Sequence, residues 1–226
     1  MRKYSIPVLF FFMFCFSSCF VGYIGIQTPM DIRENFACYT GETTNISSLI
    51  NINGYYTVKK STTMYLYPNI YERIDTFFYI NFMFFDDGIY LYNFNVKSIY
   101  ETWFYKYSQW GCYAISSDTI KTKLVCIYPP SSGPPYASED WYMVIDRNTI
   151  KEIFSKPLHR TTQAEMENYL RTSASTERQP ATFVPMDSLP NSDNCWLKKE
   201  KWFWSNEKDW EEYMDSLKQD KKKKNE

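Results

Sequence analysis

The feature that most constrains this chain is the stretch from Thr76 to Phe85. Phe78, Ile80, Phe82 and Phe84 line one side of an extended strand there, and Phe77, Tyr79, Met83 and Phe85 line the other. Alternate side chains of a strand point to opposite faces, so a strand that is apolar on both has to be covered on both. Asp86-Asp87-Gly88 then fits a short hairpin loop with glycine in the left-handed position, and Ile89 to Phe94 returns. The same pattern recurs along the chain. Ile52 to Lys59 places Tyr56 and Val58 on one face, and Tyr100 to Tyr107 is aromatic-rich. Trp110 to Ile115 and Thr119 to Tyr128 flank a Ser-Ser-Asp turn, which puts Tyr113 and Ile115 on the face of Ile120, Leu124 and Cys126. Trp141 to Ile145 and Thr149 to Phe154 flank Asp146-Arg147-Asn148. Strand-turn-strand units at this spacing predict a mainly β domain, an antiparallel meander closing into a barrel, with a β-sandwich as the alternative.

Two helices are expected near the C-terminus. Thr162-x-x-Glu165 forms a capping box ahead of Met166, Tyr169 and Leu170. Further on, Asn206 or Ser205 is placed to cap a segment whose Trp210, Tyr213, Met214 and Leu217 form one stripe, and that stripe is expected to dock on the sheet. Pro129 to Pro135 contains too few backbone donors to join a ladder and reads as a loop. Thr172 to Asn194, with Pro180, Pro185 and Pro190, reads as a long polar connection.

The amino terminus carries an address. Arg2 and Lys3 precede an unbroken apolar run from Ile6 to Phe16, followed by Ser17-Ser18-Cys19. A positive n-region, a short apolar h-region and small residues at the cleavage site form a secretory signal. Phe16-Ser17-Ser18-Cys19 resembles a bacterial lipobox, which implies cleavage after Ser18 and acylation of the Cys19 thiol. The competing reading is an uncleaved membrane anchor, because apolar residues resume after Cys19 as far as Ile26. The expected organisation is a signal peptide at 1–18, a lipid-anchored linker at 19–48, a β-rich domain with C-terminal helices at 49–217, and a disordered basic tail at 218–226.

A formal net charge of −1 gives no electrostatic footprint for nucleic acid. Once the signal leaves with Cys15 and Cys19 is acylated, Cys38, Cys112, Cys126 and Cys195 remain, and an oxidising compartment allows them two disulfides. With Ser117-Asp118 as a two-residue turn, residue 112 faces residue 123, so Cys112 and Cys126 point to opposite faces and their pairing is disfavoured. Cys38 with Cys195, tying the start of the domain to its end, is the preferred bridge, and free buried thiols are the alternative.

No catalytic, metal or cofactor signature is present. His159 is the single histidine and follows Pro157-Leu158 in a loop; Asp86-Asp87 is an ordinary turn before it is a calcium site. Neither a phosphate loop nor a nucleophile elbow occurs. Asn53-Gly54-Tyr55-Tyr56, Gly88, and Trp110-Gly111-Cys112-Tyr113-Ala114-Ile115 before Asp118-Thr119-Ile120 resemble the lipocalin-like lipoproteins of Bacteroides-type bacteria over residues 50 to 155. That resemblance implies an up-and-down barrel able to hold one small apolar ligand, with a late helix packed outside. Tyr56, Phe78, Phe82 and Tyr113 are the expected ligand lining. Asp118-Thr119-Ile120 and Asp187-Ser188-Leu189 resemble that group's O-glycosylation sites, which points to Thr119 and Ser188; Asp215-Ser216-Leu217 matches too but falls in an expected helix.

The expectation is therefore a non-enzymatic lipoprotein of the cell envelope, anchored in the outer membrane, whose barrel binds a small apolar ligand or an envelope partner. The periplasmic face is favoured over the cell surface, because residues 20 to 27 lack the acidic cluster that resembles a surface-export signal. The alternative is a structural interaction module with a filled core. A cavity of about 300 Å³ or more lined by Phe and Tyr marks the binder, and close packing marks the module.

Overall fold

Three tight turns at one end of the sheet set the order of the strands in the computed structural model, which describes residues 30–38, 40, 45–65, 73–92, 109–126, 136–158, 161–175 and 177–223. The first joins β2 (Arg73–Phe84) to β3 (Ile89–Tyr92), with Gly88 at φ 90°. The second joins β4 (Gln109–Ser116) to β5 (Thr119–Cys126), with Ser117 at φ 56°. The third joins β6 (Tyr136–Asp146) to β7 (Thr149–Pro157) through Arg147 and Asn148. Together with β1 (Gly54–Tyr65) and β8 (Ala181–Pro185) they form a closed barrel in the order β1 to β8. Every pairing is antiparallel, from β1 with β2 round to β8 with β1. The meander barrel is the expected architecture, and the sandwich is excluded.

Two glycines stand where neighbouring backbone leaves no space. A Cβ on Gly111 would lie 2.0 Å from the Lys123 carbonyl oxygen across the β4–β5 pair. One on Gly54 would lie 2.1 Å from the carbonyl oxygen of Val184, where β8 meets β1.

The wall separates two apolar cores. Inside lie Tyr56, Val58, Phe82, Phe84, Tyr90, Tyr113, Ile120, Leu124, Cys126, Tyr142 and Ile150, with Ile46 and Ile50 sealing the end that carries the tight turns. Arg147 holds this seal: its guanidinium donates to the carbonyls of Ser48 and Ser47 at 3.1 and 3.0 Å and to the Asn51 side chain at 3.2 Å. Outside, Met83, Phe85, Ile89, Leu91, Trp110, Cys112 and Val125 pack under Ile32 and Phe36 of α1 (Met30–Phe36) and under Cys195, Leu197, Phe203 and Trp204. Those last four lie on short 3-10 turns at Trp196–Lys199 and Lys201–Phe203 or beside them. The β3 residues Ile89 to Leu91 are accordingly buried on both faces.

The capping box opens α2 (Gln163–Ser175) as expected: the Thr162 amide donates to Glu165 at 2.8 Å, and the Glu165 amide donates back to the Thr162 hydroxyl at 3.3 Å. Asn206 caps α3 (Glu207–Lys223) by accepting from the Lys208 amide at 2.9 Å.

Five expectations are corrected. α1 is a packed helix inside the stretch read as a linker, because Ile32 and Phe36 complete the outer core. β8 lies in the segment read as a loop: Pro180 precedes a strand of only five residues and Pro185 ends it. α3 continues to Lys223 where a disordered tail was expected. Its stripe rests on the 3-10 segment rather than on the strands, with Trp204 and Tyr213 ring centroids 5.4 Å apart and Trp210 Nε1 donating to the Lys199 carbonyl. Finally, only the second half of the Thr76–Phe85 stretch is covered on both faces, while Phe77, Phe78 and Tyr79 remain exposed. The strand expected at Tyr100–Tyr107 and the Pro129–Pro135 loop lie outside the described residues.

Candidate functional site

Aromatic rings fill the barrel from its sealed end upward. The Tyr56 hydroxyl donates to the Arg147 carbonyl at 2.8 Å, and that of Tyr113 donates to the Phe85 carbonyl. Above them the ring centroids of Phe84 and Tyr90 are 5.0 Å apart, and those of Phe82 and Tyr142 5.2 Å. These are the separations at which aromatic pairs attract. The Tyr90 and Tyr142 hydroxyls share a hydrogen bond of 3.0 Å. Burial pushes both phenols well above their ordinary value, so they remain neutral.

The closed barrel is held by few backbone pairs along one seam. β8 pairs with β7 only through Thr149 and Ile150, and with β1 only through Gly54 to Thr57. Beyond those residues side chains span the gap between β1 and β7. Glu152 is the hub, with Lys60 Nζ at 3.9 Å and Arg178 Nε at 3.0 Å. Arg178 arrives from the link between α2 and β8, where it also donates to the Ser173 carbonyl at 3.2 Å. A small cavity opens here, lined by residues that include Val58, Lys60, Phe82, Tyr142, Glu152 and Gln179, and its volume is about 10 Å³. That is space for about one water.

Asp140 lies behind this seam on β6, 7 % exposed. Its two carboxylate oxygens accept from Ser155 at 2.6 Å and Ser138 at 2.9 Å. Burial raises its pKa to about 6; the two serine donors pull it down, Glu152 pushes it up and Arg178 lowers it. It thus changes protonation between weakly acidic and neutral solution, accepting hydrogen bonds above that range and able to donate one below it. Its orientation follows from strand alternation: Asp140 stands two residues before Tyr142, whose side chain is in the inner core, and β7 sets Ser155 opposite it.

Of the expected ligand lining, Tyr56, Phe82 and Tyr113 are buried in the interior, whereas Phe78 sits on the unsealed half at 43 % exposure. The cysteine pairing is corrected. Cys38 is bonded to Cys112, not to Cys195, and Cys126 and Cys195 are buried. Cys112 does face Lys123, and it lies in the outer core while Cys126 lies in the inner one. Closure of the barrel brings α1 over β4, and the segment just after it over Cys112; nothing local in the sequence signals that. Burial raises the Cys195 thiol to about 12.

Thr119 is half-buried at the β4–β5 turn, and Ser188 is exposed after β8. Asp87 serves the turn and an ion pair: Lys198 Nζ lies 2.8 Å away and the Ser192 hydroxyl donates to it at 2.8 Å. Among the described residues no group of His, Cys, Asp and Glu could hold a metal, and no helix is long and apolar enough to cross a membrane. Cys19 and His159 lie outside the described residues. Asp140, Glu152 and Arg178 escaped sequence reasoning, because isolated polar residues on a strand or in a connection read as solvent-facing.

Fold and site together define a closed, eight-stranded antiparallel meander barrel with an aromatic interior and an outer helical layer. Comparison of the chain with protein-family models, with curated proteins and with solved structures finds no match.

Proposed function

We propose that this chain is a non-enzymatic lipoprotein of the cell envelope, tethered to the outer membrane through acylated Cys19 on its periplasmic side, and that its barrel is an interaction module rather than a container. The observation that carries the second part is the aromatic filling of the interior among the described residues, which leaves about 10 Å³ at the seam, against the roughly 300 Å³ or more that small-molecule pockets occupy. Support for the first part is the signal-like stretch ending at Ser18 and its lipobox-like close. Residues 20–29 separate the proposed anchor from α1, and fully stretched they reach about 35 Å. The barrel would therefore stand close to the bilayer. A module needs a surface to offer, and the outer wall of β2 offers Phe77 and Tyr79, each 59 % exposed, with the Lys59 ammonium 3.8 Å from the Phe77 ring centroid.

The test is membrane fractionation of the native chain beside a Cys19→Ala variant, with mass spectrometry of small molecules extracted from both. The expected result is native protein in the membrane fraction with the mass of an acylated cysteine, a variant released from it, and no stoichiometric lipid or cofactor in either. A stoichiometric apolar molecule would restore the container reading, and an unreleased variant would remove the anchor.

A further inference from the structure

On the outer wall, beside the disulfide, a cavity of about 240 Å³ is lined by Cys38, Cys112, Ala114, Lys121, Lys123 and Glu139, with Tyr113 and Thr122. Its position follows from the register. Cys112 pairs with Lys123 and Ala114 with Lys121 across β4 and β5, and Lys123 pairs with Glu139 across β5 and β6. These outward-facing neighbours make a floor of one disulfide and one methyl group bordered by two ammonium groups.

The charges do not cancel within the patch. Glu139 is the acid among the lining residues, and its oxygens are engaged elsewhere: Oε1 accepts from Trp141 Nε1 at 2.7 Å, and Oε2 lies 3.4 Å from Lys156 Nζ. Lys156 therefore offsets Glu139. Lys121 and Lys123 each lack a carboxylate within 4 Å among the described residues. The Lys121 ammonium sits 4.5 Å from the Trp141 ring centroid, and that of Lys123 donates to the Asn35 carbonyl at 3.5 Å. An ammonium has three donors, so that contact leaves two on Lys123. Burial pushes the Lys123 amine below its ordinary value, Glu139 opposes this, and Lys156 adds to it.

We infer that this cavity is a binding site for a small amphiphilic anion, whose carboxylate or phosphate group meets Lys121 and Lys123 while its short apolar part lies on the Cys38–Cys112 disulfide and Ala114. A half-buried cationic pair beside an apolar floor is matched by a ligand with one negative end and one apolar end. A neutral apolar molecule would leave the ammoniums without a counter-charge, and a cation would add to the repulsion. The volume falls below the usual range for drug-sized ligands, which limits the ligand to about the size of a single substituted ring. This site is separate from the barrel interior and stands whether or not Cys19 is acylated.

Isothermal titration of the purified full-length chain with benzoate and with phenyl phosphate tests it, with benzyl alcohol and benzylamine as neutral and cationic controls. Saturable binding of at least one anion is expected, at least tenfold tighter than either control; the tighter of the two anions identifies carboxylate or phosphate as the preferred head group. Lys123→Gln and Lys121→Gln should each weaken that binding by fivefold or more. Ala114→Phe, a change at an exposed position, should abolish it by filling the floor. The inference is overturned if neither anion saturates, if benzyl alcohol binds as well as benzoate, or if both lysine variants keep the native affinity.

Discussion

Asp140 is the residue at which the interior meets pH. Its folded pKa, about 6, lies above the ordinary carboxylate value of 3.8, because burial penalises the charged form more than Ser155 and Ser138 compensate. The sign of the linkage follows. The folded state holds the proton more tightly than the unfolded chain does, so this group's contribution to stability is fully present below pH 3.8. It is lost as pH rises through about 6. Asp140→Asn removes the titration and keeps the shape, and the serine hydroxyls can turn to suit the amide. The variant is expected to be more stable than the native chain at pH 8, by about 1–3 kcal/mol, and indistinguishable from it near pH 4. Urea denaturation at the two pH values measures this, and a variant destabilised equally at both would refute it.

At the scale of elements, an ion pair to Asp87 adds to the apolar contacts between the C-terminal 3-10 turns and the β2–β3 hairpin. Lys198 is 4 % exposed, and its ammonium lies 2.8 Å from Asp87 and 3.2 Å from the more exposed Asp193. Removing the acid leaves a charge in the outer core, whereas replacing the base by an apolar side chain of similar length removes charge and desolvation cost together. Asp87→Ala is expected to cost about 3 kcal/mol and Lys198→Met distinctly less; equal losses in denaturant melts would show that the pair is not buried in effect. The same hairpin shows what was legible beforehand. Asp86-Asp87-Gly88 announced a turn with glycine left-handed, and Gly88 has φ 90°. Thr162-x-x-Glu165 announced a helix start, and both reciprocal bonds form. These are local signals, carried by residues within reach of one another along the chain. Legibility failed where an element is defined by what it closes onto. β8 is a strand because β1 and β7 are both there to receive it, and the inward carboxylate of Asp140 meets its donor because β7 sets Ser155 opposite it. The partner of Lys198 was equally out of sight, 111 residues away along the chain.

On the scale of the whole molecule, a single sheet divides two cores, and the disulfide joins the outer layer to the wall. Cys38 follows α1, Cys112 is in β4, and 74 positions separate them. Closing a loop of that length in the unfolded chain lowers its entropy by an amount equivalent to about 4 kcal/mol, of which engineered and native bridges deliver about 2–4 in practice. The bridge has a second consequence specific to this architecture. α1 is seven residues long, too short to persist alone, and it is held by Ile32 and Phe36 in the outer core. Replacing both cysteines with serine is therefore expected to act unevenly: global stability falls by about 2–4 kcal/mol, while α1 loses more protection than the barrel does. Amide hydrogen exchange resolves the two. Residues 31–37 should exchange many times faster in the variant, whereas amides in the β4–β5 ladder, which do not depend on α1 for their hydrogen bonds, should slow or quicken only in step with global unfolding. Uniform acceleration across α1 and β4–β5 would mean that the outer layer and the barrel unfold as one unit, and that the bridge tethers nothing the apolar contacts do not already hold.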